Sequence, residues 1–191
     1  MYMNHSQIEF LKLCLQKEVI KSDTKKFSWV RAVRRAWRYP DRRFYFWWRI
    51  ASYLYQSNKH LEIANFIHRR LQAKYGCDIG LGAKIGAGLS ISHYVGLVIA
   101  YEAIIGNNFH ARQNTTIGIV SSSQKGHIYI GNNVTIGANS CIIGDNIKIG
   151  NNVMIGAMSF INKNIPDNCI VHTPKSENHI KHSTINNRRI W

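Results

Sequence analysis

One histidine of this chain stands where its side chain could act as a base. The sequence contains nine His, and His93 follows Asp78 by fifteen positions. A neutral imidazole titrates near neutral pH and can take a proton from a hydroxyl group that attacks a carbonyl carbon. A carboxylate beside it would hold the ring in the productive tautomer and stabilise its charge after proton transfer. A solvated surface histidine without a chemical role is the alternative that the residues by themselves leave open.

A six-residue repeat must position these two side chains. In its copies an Ile is usually followed by a Gly and then by polar or small residues. Such hexads are typical of a left-handed parallel β-helix, in which the branched residue points inward and the small residue takes a tight corner. We therefore predict a mainly β fold, a left-handed parallel β-helix that follows an N-terminal α-helical segment. The clearest Ile-Gly copies lie at 79–80, 85–86, 105–106, 117–118, 130–131, 136–137, 149–150 and 155–156.

Two interruptions of the repeat indicate where function is expected, because irregular segments on a rigid scaffold often carry binding residues. One step is eight residues long instead of six, which predicts a bulge beside His93. A later step, from Ile117 to Ile130, is thirteen residues long, so the chain must leave the repeat there. We predict a protruding loop over 118–128, with His127 close to its end.

Composition divides the chain into parts. All 14 Gly lie at or after Gly76, and four of the five Trp lie before residue 50. Residues 1–75 hold 16 Lys and Arg against 5 Asp and Glu, so they carry +11 of the total formal charge of +15. We predict a basic, aromatic α-helical segment over 1–75, a β-helix over 76–175 and a basic tail over 176–191.

Apolar spacing predicts several helices in the first of these parts. Apolar residues recur at helical spacing over 6–20. Ser28 is a suitable cap for a second helix, which Pro40 would end. A third helix should begin near Asp41, and a fourth should cover 61–71.

Seven arginines lie in the second and third predicted helices, and three interpretations of them are considered. The first is a solvated basic face, with the aromatic residues packed inside the bundle or on a neighbouring subunit. The second is attraction to an acidic partner or to anionic lipid headgroups. Nucleic acid is disfavoured because no recognition motif accompanies the charge. The arginines are Arg31, Arg34, Arg35, Arg38, Arg42, Arg43 and Arg49.

Several other classes of protein are disfavoured. The N-terminus lacks the apolar run and small-residue cleavage site of a secretory signal. The most apolar stretch, 44–55, is broken by Arg49 and is too short to cross a bilayer. The four Cys form no C-x-x-C pair, so we expect reduced thiols and no metal site. We predict a cytoplasmic location, and a position at the inner face of the membrane stays open.

Longer runs of the repeat resemble the catalytic domain of the serine acetyltransferase family. The first run, CDIGLGAKIGAGLSISH, contains both Asp78 and His93. Within the hexapeptide-repeat acyltransferases, a helical N-terminus before a repeat of this length is most similar to the exopolysaccharide branch, such as the colanic-acid biosynthesis acetyltransferases. The resemblance implies an O-acetyltransferase that uses acetyl-CoA as its donor. The matching runs are 77–93, 107–118, 136–144 and 165–171, within a matched region of about 76–175.

The resemblance also implies roles for individual residues. His93 would be the general base and Asp78 its partner, in a direct transfer within a ternary complex. His127 matches a second active-site His of the family, and Gln113 matches a family Gln. With Ser92, these two residues are expected to bind the acceptor. A loop histidine without a role and a corner glutamine that satisfies backbone groups are the alternatives.

Coenzyme A binding is implied at small corner residues, where the pantetheine arm can approach the main chain. Ordinary hexad corners would give the same residue types, and any basic tail would offer cations for the phosphates. The residues expected at the cofactor are Gly118, Ile119, Ala138 and Ala157 for the arm, with Lys163 and Lys175 for the phosphates.

Two positions depart from the family and bear on the acceptor. Serine acetyltransferases have an Asp before the catalytic His, where this chain has Ser92, and an Arg before the second His, where it has Gly126. Both charged groups help to hold serine, and a bidentate Arg contact is hard to replace. We therefore predict a hydroxyl of an acidic bacterial surface polysaccharide or its sugar precursor as the acceptor. A serine O-acetyltransferase of cysteine biosynthesis and a non-catalytic basic scaffold are the alternatives.

Oligomerisation is expected from the geometry of such a repeat. Its flat, partly apolar faces are buried when three copies pack about a threefold axis, and closed symmetry is the rule for soluble homo-oligomers. We predict a homotrimer. Whether the helical segment pairs two trimers into a hexamer stays open.

Overall fold

The computed structural model describes residues 3–22, 24–58, 60–120 and 126–174. Within these ranges four α-helices precede all the strands. Residues 121–125 of the predicted loop and all of the predicted tail lie outside the described residues. The helices are α1 (Met3–Leu15), which a π-helical turn (Gln16–Ile20) continues, α2 (Trp29–Arg38), α3 (Pro40–Gln56) and α4 (Leu61–Tyr75).

Helix boundaries follow local sequence signals. The Ser28 side chain accepts a hydrogen bond from the backbone N–H of Arg31 at 3.5 Å, which caps α2 as predicted. Pro40 is the first residue of α3, where its missing N–H costs nothing. The last helix, α4, extends four residues beyond the predicted end at 71. It stops at Gly76, whose φ of +62° is the left-handed conformation that favours glycine.

Fourteen short strands follow within the described residues, and all their pairings are parallel. They are β1 (Asp78–Ile79), β2 (Lys84–Ile85), β3 (Ser90–Ser92), β4 (Val98–Ile99), β5 (Ala103–Ile105), β6 (His110–Arg112), β7 (Thr116–Gly118), β8 (Ile128–Ile130), β9 (Thr135–Ile136), β10 (Cys141–Ile143), β11 (Lys148–Ile149), β12 (Met154–Ile155), β13 (Phe160–Ile161) and β14 (Ile170–Val171).

These strands form three sheets that the chain visits in rotation. Sheet A has the order β1-β4-β7-β10-β13, sheet B β11-β8-β5-β2 and sheet C β14-β12-β9-β6-β3. After β13, an isolated parallel bridge between Ile149 and Ile165 takes the place of a sheet B strand. This order of three parallel sheets with hexapeptide repeats fits the predicted left-handed β-helix fold. We call the connections by the sheets they join, as A-to-B, B-to-C and C-to-A.

The repeat produces this arrangement through its two kinds of residue. The Ile of each clear hexad is buried, since alternate residues of a strand point to opposite faces. The following Gly allows the next layer to approach, because a Cβ placed on Gly86 would lie 2.6 Å from the carbonyl carbon of Gly106. Asparagines add a ladder of side-chain hydrogen bonds of 2.9 Å along the B-to-C connections. The ladder joins Asn108, Asn133, Asn152 and Asn168.

The helices are joined to the first strands by a buried ion pair. The guanidinium of Arg49 donates hydrogen bonds to the Glu18 carboxylate at 2.9 and 2.6 Å. It also donates to the Ile85 carbonyl at 2.7 Å. The Glu18 carboxylate accepts two backbone N–H groups, from Gly88 and Leu89, each at 3.0 Å. Arg49 therefore belongs to the interior and not to the basic surface formed by other arginines of the helices.

Candidate active site

His93 opens the first C-to-A connection, directly after β3. Its φ is +62°, a backbone conformation that residues other than Gly, Asn and Asp adopt rarely. In the described residues from 76 onward, nine non-glycine residues have positive φ, and seven of them are Asn. The side chain is exposed, and within the described residues it makes no hydrogen bond or ion pair. The eight-residue step therefore does produce a bulge, and it presents an imidazole to solvent.

Asp78 begins β1, close to the backbone of the same connection. The N–H of Gly96 donates to the carbonyl of Gly76 at 2.7 Å, which brings the connection against the chain just before β1. The Asp78 carboxylate, however, lies 3.3 Å from Nε2 of His68 in α4 and is 54% exposed. This contact is an ion pair when the imidazole is protonated, but it lacks hydrogen-bond geometry. No hydrogen bond or ion pair joins Asp78 and His93 in the described residues, so their partnership stays a proposal.

His68 is an unexpected neighbour of the candidate site. It lies on α4, ten positions before Asp78, outside the region that resembles the serine acetyltransferases. His68 on α4 and Asp78 on β1 come together because the helix packs against the start of the strand. No pattern of spacing in this chain indicates that contact.

A polar cluster covers the end of sheet C beside His93. Ser92 is the last residue of β3, and its Oγ lies 2.9 Å from Nε2 of His110 in β6. The register of the two strands places Arg112 opposite Ser92. Burial lowers the pKa of His110, and the charge of Arg112 lowers it further. Both effects favour the neutral form of His110, and Arg112 places a permanent cation next to the residue that precedes His93.

Three of the predicted site residues stack above the bulge along the C-to-A connections. Gln113 follows β6, and its carbonyl accepts the N–H of Asn139 at 3.1 Å. The carbonyl of Ala138 accepts the N–H of Met158 at 2.8 Å in the next layer. Gln113, Ala138 and Ala157 thus follow one another along the edge that begins with His93. Ala157 is exposed, and the other two are half-buried.

The remaining described site residues lie along the A-to-B connections instead. Gly118 ends β7, and its carbonyl accepts the N–H of Gly144 at 3.2 Å. Ile119 comes next and packs on the core. His127 precedes β8, is half-buried, and its ring centroid lies 5.9 Å from that of Tyr129. One chain therefore places His93 and His127 on different connections and does not bring them together.

The two lysines predicted for the phosphates have different outcomes. Lys163 follows β13 and is exposed. Like His127, it lies on an A-to-B connection. Lys175 lies outside the described residues. A role of either lysine at the phosphates stays a prediction.

Gly126 lies close to the side chain of Asp145. A Cβ at this position would lie 3.1 Å from Oδ1 of Asp145. The same oxygen accepts the N–H of Val120 at 3.2 Å, so it helps to hold the start of the loop. A longer side chain at position 126 would require Asp145 to shift.

A covalent intermediate on Cys77 is disfavoured. Burial raises the pKa of this thiol to about 12, and the charge of Asp78 acts in the same direction. The thiol is therefore protonated at neutral pH, and the thiolate is the nucleophilic form.

In the described part of the chain, no group of three or more His, Cys, Asp or Glu could hold a metal ion. No helix there has both the length and the apolar character needed to span a membrane.

Comparison with known proteins identifies the class of the repeat. Residues 127–163 match the family model for the bacterial transferase hexapeptide (six repeats). Serine acetyltransferase 1, chloroplastic, of Arabidopsis thaliana is 39% identical over 70 residues, which are 37% of this chain and 22% of that protein. This chain thus spans about a fifth of the length of the curated relatives that it matches.

Solved structures of serine acetyltransferases are similar to this chain over a longer part of its length. The serine acetyltransferase isoform 3 of Entamoeba histolytica, solved in complex with cysteine, has a TM-score of 0.71 and 30% identity. The match covers 94% of this chain and 62% of that one. The Neisseria gonorrhoeae serine acetyltransferase, solved in complex with serine, has a TM-score of 0.68 and 26% identity. Here the match covers 92% of this chain and 70% of that one.

These findings support the hexapeptide-repeat acyltransferase superfamily and correct the prediction of the acceptor. The prediction of a polysaccharide acceptor and the placement in a capsule branch rested on Ser92 and Gly126. The relatives and the solved structures are serine acetyltransferases, so the prediction of a polysaccharide acceptor is wrong. The physical weakness of that prediction is that the loss of the Arg at position 126 does not exclude serine, since another cation, Arg112, lies opposite Ser92. The proteins that this chain resembles in these comparisons are serine acetyltransferases.

Proposed function

We propose that this chain is an acetyl-CoA-dependent serine O-acetyltransferase. The observation that carries the proposal is the likeness over 94% of the chain, at 30% identity, to a serine acetyltransferase. In the reaction the serine hydroxyl oxygen attacks the thioester carbonyl and the carbon–sulfur bond breaks. The products are O-acetylserine and the free thiol of coenzyme A.

His93 is the proposed general base. Its exposed ring is free within the described residues to accept the proton from the serine hydroxyl. The same proton then passes to the departing thiolate, so the imidazole ends the cycle neutral. Asp78 would turn from His68 toward His93 when substrates bind. More than half of its side chain is exposed, so its neighbours leave room for this movement. There it would stabilise the transient imidazolium.

Acetyl-CoA is proposed to lie along the C-to-A edge above the bulge. The small side chains of Ala138 and Ala157 leave backbone groups accessible to an extended pantetheine arm. Gln113 lies between them and His93 along the same edge. A thioester at the lower end of this column would be close to the base.

A homotrimer would complete the site. His93 and His127 lie on different connections of one chain, so a neighbouring copy must supply the second histidine if both act on one substrate. The outward side of sheet A offers a surface for this contact, since Val98 and Phe160 are exposed there. A cyclic arrangement of three copies would cover these side chains and form equivalent sites between neighbours.

Arg112 is proposed to replace the missing charged clamp for the acceptor. Its guanidinium carries five donors and suits bidentate recognition of a carboxylate. It lies opposite Ser92, next to the base. The carboxylate of serine would therefore bind on sheet C and not at position 126, where Asp145 limits the space.

The acceptor is tested by following thiol release from acetyl-CoA. We expect release that depends on added serine and is much slower with serinamide, because the amide offers Arg112 no negative charge. Simple sugars and acidic oligosaccharides serve as control acceptors in parallel. Release that does not rise above background hydrolysis with serine would contradict the proposal.

Mixing two inactive variants tests the shared site. Trimers that combine His93→Asn chains with His127→Asn chains contain some interfaces with both histidines intact. Random assembly in equal amounts should restore about one quarter of wild-type activity, because each site needs the right variant at two positions. The measurement is the rate after co-expression, compared with separately purified variants mixed just before the assay. No recovery in the co-expressed sample would mean that one chain supplies both groups, and full activity of His127→Asn by itself would mean that His127 has no role.

A further inference from the structure

The outward side of α2 is apolar where a surface helix is usually polar. Val30, Val33 and Trp37 recur there at helical spacing, and the exposed fractions of Val30 and Trp37 are 80% and 82%. Arg34 and Arg38 lie between them at i, i+4 positions and are also exposed. We call these five residues the α2 stripe. An exposed apolar surface of this kind marks a place where a protein binds a partner or a membrane.

Packing within the chain does not require the α2 stripe. The opposite side of the helix carries Ala32 and Ala36, which are buried in the core. The helix is capped by Ser28 and ends before Pro40, so its limits are set outside the stripe. Substitutions on the stripe should therefore leave the fold intact.

Charge distinguishes between the possible occupants of the stripe. Residues 24–40 contain six Lys and Arg and no Asp or Glu. A second copy of α2 laid on the first would bring two such sets of cations together, and like charges across an interface are costly. An anionic lipid surface offers phosphates to arginines and an apolar boundary to a Trp ring at the same depth. Of these two occupants, the lipid surface is the one that can bind both the arginines and the apolar side chains.

We propose that α2 docks on an anionic membrane surface. The helix has ten residues, too few to span a bilayer, so it lies in the plane of the interface. Val30, Val33 and Trp37 enter the boundary between headgroups and acyl chains, while Arg34 and Arg38 bind lipid phosphates. One such helix binds weakly. Three copies in an oligomer would bind together and raise the apparent affinity without any new contact.

Sedimentation of the full chain with lipid vesicles tests this proposal. We expect binding to vesicles in which phosphatidylglycerol replaces about a third of the phosphatidylcholine. Binding to phosphatidylcholine alone should be weak, and high salt should reduce binding by screening. The double variants Val30→Ser/Trp37→Ser and Arg34→Gln/Arg38→Gln should each lower the partition coefficient at least about tenfold. Quenching of Trp fluorescence by brominated lipid should fall sharply in Trp37→Phe.

A matched variant separates the stripe from general charge attraction. Lys84 and Lys148 are exposed cations on sheet B, so Lys84→Gln/Lys148→Gln removes the same charge elsewhere and should leave the partition coefficient nearly unchanged. An equal loss in this control would overturn the proposal. Failure of the wild-type chain to sediment with anionic vesicles would also overturn it. A fall in the mass of the protein in solution on Val30→Ser/Trp37→Ser would do the same, because the stripe would then be an interface between copies.

Discussion

Replacing His93 with asparagine should lower the turnover number for acetyl transfer to serine by at least about a hundredfold. The serine hydroxyl is a poor nucleophile at neutral pH, and the variant removes the group proposed to take its proton. Asparagine suits this test better than alanine, because seven of the nine non-glycine residues with positive φ in the described part of 76–174 are already Asn. The backbone at φ +62° should therefore be retained without added strain.

The control for this variant is another exposed histidine with the same backbone conformation. His60 precedes α4 with a φ of +54°, and it lies in the helical segment and not on any connection of the sheets. His60→Asn should leave turnover unchanged. Initial rates of thiol release, together with the melting temperature and the mass of each variant, provide the comparison. Near-normal turnover of His93→Asn, with the fold intact, would remove His93 from the proposed mechanism.

Replacing Arg49 with methionine should lower the free energy of unfolding by about 3–5 kcal/mol. Burial is the largest influence and lowers the pKa of Arg49, but the charge of Glu18, the neighbouring Cys14 and the hydrogen bond to Glu18 together raise this pKa above its ordinary value. Without the guanidinium, Glu18 would be a buried carboxylate whose two remaining backbone donors do not balance its charge. The helices would also lose two hydrogen bonds to the carbonyls of Ile85 and Gly86. Denaturant unfolding measures the change.

Two further variants make this prediction specific. Arg49→Met/Glu18→Leu should be less destabilised than Arg49→Met alone, because no unpaired charge then stays buried. Lys12→Ala breaks the exposed pair with Glu9 and should cost no more than about 1 kcal/mol. If Arg49→Met costs as little as Lys12→Ala, the buried pair does not hold the helices against the strands.

Local signals predicted the parts of this fold that depend on neighbouring residues. The hexads predicted parallel strands with inward Ile because side-chain direction alternates within each strand. Ser28 and Pro40 predicted the start of α2 and the junction with α3, since capping and the geometry of proline act over a few residues. The eight-residue step predicted the bulge at His93 by counting alone.

Contacts between distant residues could not be predicted in this way. The sequence grouped Arg49 with six other arginines, and only the fold shows that it is buried against Glu18, 31 positions away. The contact of Asp78 with His68 of α4 could not be predicted either, because it depends on how the helix packs against β1. The proposed carboxylate-binding role of Arg112 could not be read from the sequence either, because only the strand register places it opposite Ser92.

The sequence by itself determined the repeat, its interruptions and the residue types that could transfer a proton. Those features follow from periodicity and composition, which each short segment carries on its own. Only the tertiary structure decided which connection each side chain occupies. Because the chain passes through three sheets in turn, residues far apart in sequence stack along one edge, while His93 and His127 fall on different edges. That separation depends on how the chain passes from sheet to sheet, which no short segment of the sequence determines.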